Sequence, residues 1–259
     1  MRLVSLGDLI LDVVVQLDDP LLTGDDRPAT TRVGAGGQGA NVAAWAAALG
    51  AVSRFVGKRG ADGAGELASR ELAGHGVELC GPVEGRNGVV ISIASSGERS
   101  MASDRGSATQ LDPAELEPAW FDCDRFHLSG YALLLEPGAQ AALRAVELAR
   151  GYGAPVSLDL SSWSLIDEAF RARVRAAAPD LVFATEREQE AFGAIDTAWV
   201  IKRGPLGVNV AGVEHPALPT DVVDPTGAGD AFAAGFLVGG VELGLSAAAR
   251  CCARLGAMP

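Results

Sequence analysis

The sequence predicts an α/β protein: a mostly parallel central sheet with helices on both faces, plus a small accessory sheet. Three observations predict it. Short apolar runs alternate with helix-length runs along most of the 259 residues, the pattern of strands joined through covering helices. Apolar residues make up 48% of the chain and aromatics only 5%, with 33 glycines, a composition suited to a sizeable core of closely packed helices and sheet. One hairpin-like segment in the middle breaks the alternation.

Residues 2–6 read as a buried strand. Residues 9–17 stay β-like through Val13-Val14-Val15, and Asp18-Asp19-Pro20 and Thr23-Gly24-Asp25-Asp26 then supply loop chemistry. Residues 30–33 are β-like again. Helical character begins at about Gly39, runs through the Ala-rich NVAAWAAALG and ends near Gly50. Strands follow at 52–56, 125–129, 156–160, 181–184, 199–202 and 208–211. Helices are expected at 65–74, 138–150, 166–178, 186–192, 228–238 and 246–255. Two β runs, 88–94 and 99–103, are joined by Ser95-Ser96-Gly97-Glu98 as a hairpin. With the β segments of residues 10–33 they would form the accessory sheet. The sequence carries no repeat, low-complexity tract or clear linker. Residues 1–259 therefore read as a single domain with inserted segments at approximately 10–33 and 88–103.

The formal net charge of −12 repels phosphate backbones and anionic membranes, which excludes nucleic acid and membrane surfaces as expected partners. Asp8 and Asp12 interrupt the first apolar stretch, so it does not read as a signal peptide. No apolar run approaches the ~18 residues of a membrane span. Cys80, Cys123, Cys251 and Cys252 form no C-x-x-C pair and read as thiols in a reducing cytoplasm. His75, His127 and His215 match no metal spacing and read as structural or surface residues.

The stretch VGAGGQGANVA, residues 33–43, contains Gly34-x-Gly36-x-x-Gly39, the spacing of a dinucleotide-binding turn. Such a turn must follow the first strand directly. Here the first strand runs into Gly7-Asp8-Leu9-Ile10-Leu11-Asp12, and the cluster arrives only after further β segments and loops. A tight turn into a helix explains one or two of the glycines. Gly34, Gly36, Gly37 and Gly39 together imply a backbone brought very close to something else. Asn41 follows in the first helical turn, where its amide can meet a ligand.

A second cluster, Asp224-Pro225-Thr226-Gly227-Ala228-Gly229-Asp230, stands where a loop enters a helix. Exposed N–H groups there make an anion site that the helix dipole strengthens. Asp230 in the first turn either complements the dipole or accepts a proton from a hydroxyl beside a transferring phosphoryl group.

DPTGAGD closely matches the DTxGAGD signature of the ribokinase-like (PfkB) carbohydrate kinases. AGGQGANVA, with Gly50 and Gly57 after it, resembles that family's N-terminal sugar signature. GDLILD, the central hairpin, DRGSA and KRGPLGV extend the resemblance over nearly the whole chain. The resemblance implies the ribokinase-like fold, a β lid made from the accessory sheet, and ATP-dependent phosphorylation of a small sugar with Mg2+. By the same token Gly36, Gly37 and Asn41 belong to the acceptor, with Asp12, Asp8 and Arg105 near it. Gly227, Ala228, Gly229 and Asp230 belong to phosphoryl transfer, with Asp230 as general base.

Lys202, Gly204 and Gly207 lie on the matching nucleotide strand and turn. Asp224 and Thr226 match positions that bind a monovalent cation such as K+, to which a loop near Arg254-Leu255-Gly256 would contribute. The family's N-x-x-E motif reads Thr185-Glu186-Arg187-Glu188, so Thr185 replaces Asn and Glu188 remains as an indirect magnesium partner. The sequence ends at Pro259 where most members of the family continue, which implies either a minimal adenine and cation site or reduced activity. A nucleoside acceptor, or a non-catalytic binding protein of the same fold, are the alternatives. The expected partner is a small neutral sugar or nucleoside, and a homodimer through the lid is the candidate assembly.

Overall fold

The computed structural model describes residues 1–95 and 98–259; the expected turn at Ser96-Gly97 lies outside the described residues. β1 (Arg2–Leu6) runs into two accessory strands, β2 (Ile10–Leu17) and β3 (Thr30–Gly36), and then into α1 (Gln38–Ala48). β4 (Val52–Val56), α2 (Gly63–Gly74) and β5 (Glu78–Cys80) lead to β6 (Asn87–Ser95) and β7 (Glu98–Gly106). After several single 3₁₀ turns come β8 (Arg125–Ser129), α3 (Gly138–Gly151), β9 (Val156–Asp159) and α4 (Glu168–Ala177). β10 (Leu181–Thr185), α5 (Glu186–Phe192), β11 (Ala198–Lys202), β12 (Val208–Val210) and β13 (Val213–His215) follow, before α6 (Ala228–Gly239) and α7 (Val241–Cys252).

Among the described residues the main sheet has nine strands in the order β13-β12-β11-β10-β9-β8-β1-β4-β5. Its strands pair in parallel except β12 and β13, which turn back antiparallel at one edge. Strand alternation assigns the helices to faces. Leu3 of β1 and Phe183 of β10 pack with Trp45 of α1, Phe232 of α6 and Leu245 of α7. Val4, Leu6, Val182 and Ala184 point the other way and pack with α3, α4 and Phe192 of α5. Both faces are thus covered, as a parallel sheet requires. No described helix is long and apolar enough to cross a membrane.

The accessory sheet has the order β3-β2-β6-β7, with β2 and β6 parallel and the outer pairs antiparallel. Asp12 of β2 stands between Gly34 of β3 and Val90 of β6, and Ser103 of β7 extends the same row. Asp12, Val90 and Ser103 line the cleft described below. On the opposite face Val13 stands between Val33 and Ile91, and both of these are exposed.

Several boundaries differ from the sequence expectation for identifiable reasons. β5 and β13 are three residues long, too short to show a period. The last helix starts five positions earlier than expected, at Val241, because Gly244 does not break it. A Cβ on Gly235 of α6 would lie 2.7 Å from the Gly244 Cα, so these glycines let α6 and α7 touch backbone to backbone. α4 starts at Glu168 because Asp167 caps it, accepting the Phe170 N–H at 2.7 Å.

Candidate active site

In the main sheet the chain runs from β1 outward to β4 and β5, then crosses to β8 on the other side of β1. The reversal leaves a crevice beyond the carboxyl ends of these strands, where doubly wound sheets bind ligands. Asp8 follows β1, Asp159 ends β9 and Lys202 ends β11; all three line a cleft of about 1430 Å³ roofed by the accessory sheet. The N-terminal turns of α1 and α6, which pack against each other, bring Asn41 and Asp230 into the same cleft. The Asn41 Nδ2 donates to Asp230 Oδ2 at 2.7 Å, so the two glycine-rich segments meet across 189 positions of sequence.

The close approach implied by the first glycine cluster is made by the protein itself. A Cβ on Gly36 would lie 2.0 Å from Asp12 Oδ2. One on Gly37, at φ 101°, would lie 2.4 Å from the Asp8 carbonyl oxygen, and one on Gly39 would lie 2.7 Å from the Gly7 Cα. Gly34 faces the Glu71 carboxylate. The glycines therefore bring the end of β3 against the two acidic residues that follow β1.

On this side of the cleft Arg105 folds inward. Its guanidinium donates to Asp8 Oδ2 at 2.6 Å and stacks 3.5 Å over the Tyr131 ring. Asp8 Oδ1 is buried and accepts no hydrogen bond among the described residues. Burial, ahead of the nearby charges, pushes the Tyr131 phenol up to about 12, so it remains a donor at neutral pH. Gln38 accepts from Ser129 Oγ and Ser161 Oγ, both at 2.6 Å. Ser161 lines the cleft at φ 72°, a left-handed conformation strained for a residue with a side chain.

On the other side Gly227, at φ 76°, caps α6, and a Cβ there would lie 2.5 Å from that of Ala257. The first-turn N–H groups of this helix lack helical acceptors and face anions favourably. Lys202 Nζ is 2.5 Å from Asp159 Oδ2 and would be 3.3 Å from a Cβ on Gly229, which puts one cation beside the helix entrance. Burial alone would lower the Lys202 ammonium, but Asp159, Glu188 and Asp230 outweigh it and raise it. Asp230 is pushed up to about 7. Burial is the main cause, with Asp159 and Asp8 adding to it and Asn41 and Lys202 opposing. A carboxylate balanced there can take and return a proton at neutral pH.

The remaining sequence candidates lie around this centre. Asp224 Oδ1 accepts from Thr226 N at 2.9 Å and from its hydroxyl, and Asp224 Oδ2 accepts from Gly256 N at 3.0 Å, so the two expected cation-loop segments are adjacent. Thr185 and Glu188 form a capping box on α5: Thr185 N–H donates to Glu188 Oε2 at 2.7 Å, and Glu188 N–H to Thr185 Oγ1 at 3.2 Å. They do not line the cleft, and neither do Gly204 and Gly207 in the β11–β12 turn. Sequence reading missed Asp159, Gln38, Tyr131 and Ser161. For Asp159 a signal existed: a polar residue closing an apolar strand in a parallel sheet falls at the ligand end.

The family described as pfkB family carbohydrate kinase matches residues 1–258. An ATP-dependent ribose-1-phosphate kinase of Halopiger xanaduensis is 31% identical over 275 residues, covering 96% of this chain and 90% of that protein. A fructokinase of Escherichia coli is 31% identical over 273 residues, covering 93% and 85%. The crystal structure of adenosine kinase from Sinorhizobium meliloti superposes with a TM-score of 0.86 at 24% identity, covering 100% of this chain and 95% of that one.

Proposed function

The chain belongs to the pfkB family of carbohydrate kinases, and we propose that it transfers the γ-phosphoryl group of ATP to a hydroxyl of a small uncharged sugar, with Asp230 as general base. The observation that carries this reading is the position of Asp230: half-buried in the first turn of α6, held by Asn41, and pushed up to about 7. The acceptor oxygen forms the new bond to phosphorus as the bond to ADP breaks, and Asp230 takes the hydroxyl proton. Gly227, Ala228 and Gly229 supply backbone dipoles to the phosphoryl oxygens, and Lys202 supplies a positive charge.

Asp8 and Asp12 accept hydroxyls of the acceptor. Arg105 holds Asp8 in place. Gly36 and Gly37 bring the lid strand down to the acceptor. Among the described residues no cluster of three or more acidic, histidine or cysteine side chains could hold a metal alone. A magnesium ion would therefore ride on the ATP phosphates, as it does with few protein ligands, and Glu188 would act on it only at a distance. When bound it neutralises phosphate charge. Asp224 and Thr226, with the loop at Gly256, are the candidate seat for K+. Thr185, Gly204 and Gly207 lie outside the cleft lining and would meet ATP only where it extends beyond Lys202. The protein works where ATP is made available, in the cytoplasm, and residues 1–259 act as one domain with a moving lid.

The lid's outer face, with Val33 at 49% and Ile91 at 42% exposure, fits a homodimer through that sheet. Sedimentation equilibrium checks it: Val33→Glu with Ile91→Lys should shift a dimer to monomer, and a monomeric starting protein removes the idea.

The deciding experiment is an acceptor panel read by ADP formation, with D-fructose, D-ribose, adenosine and ribose 1-phosphate. ADP release with a neutral sugar supports the reading. Turnover of adenosine alone makes the chain a nucleoside kinase, and binding without any product makes it a non-catalytic member of the fold.

A further inference from the structure

We infer that Asn41 is a positioning residue that acts on the acceptor through Asp230: its amide fixes one oxygen of the carboxylate so that the other is presented to the incoming hydroxyl. This rests on the proposed role of Asp230 and changes the role that the sequence gives Asn41, that of a direct acceptor ligand.

Four observations carry it. The Asn41 Nδ2 lies 2.7 Å from Asp230 Oδ2. The residue is only 5% exposed, and its Oδ1 is buried with no partner among the described residues, so its carbonyl end does not open on the cleft. The donor end suits the ionised base, because whenever Asp230 is ionised a turned amide would set its oxygen against a carboxylate oxygen. The donor is also rigidly mounted. Asn41 N–H donates to the Gly37 carbonyl at 2.8 Å, and the neighbouring Ala40 N–H to the Asp8 carbonyl at 3.3 Å, so the first turn of α1 is tied to the loop after β1.

The other groups acting on Asp230 do not replace this contact. Asp8, Asp159, the Tyr131 phenol and the Cys251 thiol of α7 gain nothing from its ionisation, and Lys202 is engaged by Asp159. Asn41 is thus the neutral donor that favours the ionised base and sets its direction. It also stands on the helix that begins where the lid strand β3 ends, so the base is oriented from the same segment that closes over the acceptor.

The test is the pH titration of the Asp230 side-chain carboxyl carbon by NMR, its signal identified by its loss in Asp230→Asn, in the wild type, Asn41→Ala and Asn41→Asp. Removing the donor should raise the midpoint by about one unit, and the like charge of Asn41→Asp should raise it further. An unchanged midpoint in both variants overturns the inference. The titration needs neither ATP nor sugar, so it remains decisive even where the kinase reading fails. Kinetics add a second readout with whichever of D-fructose, D-ribose and adenosine turns over. A fall in kcat of about tenfold at pH 7 with KM little changed is expected. A raised acceptor KM at unchanged kcat would return Asn41 to the role of a simple ligand.

Discussion

Burial pushes Asp230 up to about 7, and the balance of Asn41 and Lys202 against Asp159 and Asp8 leaves it there. Asp230→Asn should lower turnover by roughly 10²–10⁴-fold, the range for a positioned general base, while ATP affinity changes far less. Steady-state kinetics with ATP and acceptor varied separately checks both halves. The same shift has a consequence for stability. Because the folded-state value lies above the unfolded one of 3.8, the native protein binds the proton more tightly, and stability falls as pH rises from about 4 through 7. The Asn variant escapes that loss, so its melting midpoint at pH 8 should exceed the wild type's by roughly 2 °C or more, with the gap closing toward pH 4. Equal midpoints at pH 8 would mean the carboxylate is not held against its charge. Lys202 is the second residue whose charge matters. Lys202→Met should cost roughly 10²–10³ in kcat, as loss of a charge-stabilising group does. Since it also leaves Asp159 buried and unpaired, the double change with Asp159→Asn should recover the fold by circular dichroism without recovering the rate.

At the scale of elements, the strand–helix alternation was readable because each buried strand and each amphipathic helix announces its own period. The two loop-to-helix junctions at residues 36–41 and 227–230 were readable because glycine clusters are rare enough to demand a reason. What the sequence concealed is contact between elements. Nothing local says that Gly235 and Gly244 face each other across α6 and α7, or that Gly36 exists to clear Asp12. Asp159 lies inside the expected strand 156–160 with nothing local to give its partner Lys202, and Thr185 and Glu188, expected as the counterpart of the N-x-x-E motif with Glu188 an indirect magnesium partner, also bond each other's backbone.

The accessory sheet is the element whose behaviour can be foretold. Among the described residues its outer strands β3 and β7 each pair on one side only, and Arg32 of β3 reaches across to the Leu255 carbonyl of the C-terminal loop. A sheet with open edges and one face over a cleft should breathe until an acceptor fills the space beneath it. Amide exchange in β6 and β7 should slow on adding a saturating acceptor, while β8 in the main sheet stays unchanged. Equal exchange in β6 and β7 with and without acceptor would count against a closing lid.

At the scale of the whole molecule, charge bears on which acceptor the cleft would take. The chain carries a net −12, and its cleft shares that sign. Asp8, Asp12, Asp104, Asp159, Asp167 and Asp230 line it, against Arg86, Arg105 and Lys202. Each of the three cations already faces a carboxylate: Arg86 lies 2.8 Å from Asp104, Arg105 2.6 Å from Asp8, and Lys202 2.5 Å from Asp159. Lys202 stands at the α6 entrance, the proposed ATP side, so among the described lining residues Arg86 and Arg105 are left to serve an acceptor. To neutralise a phosphorylated or carboxylated sugar in full, either arginine would have to turn its single charge away from the carboxylate it already faces. For Arg105 that means leaving the Asp8 carboxylate, 5% exposed, without compensation, a cost of several kcal/mol for a buried charge. Hydroxyls, by contrast, can satisfy the buried Asp8 Oδ1 without disturbing the Arg105 pair. Direct competition among D-ribose, D-fructose, ribose 1-phosphate and a keto-deoxy sugar acid should therefore favour a neutral sugar, and raising the ionic strength should change its KM little. Arg105→Ala separates the causes. With a neutral acceptor it should raise KM through a displaced Asp8, and Asp8→Asn combined with it should restore much of the affinity. A clear preference for ribose 1-phosphate, the substrate in the name of the Halopiger relative, would sink the prediction and make Arg86 or Arg105 its phosphate ligand.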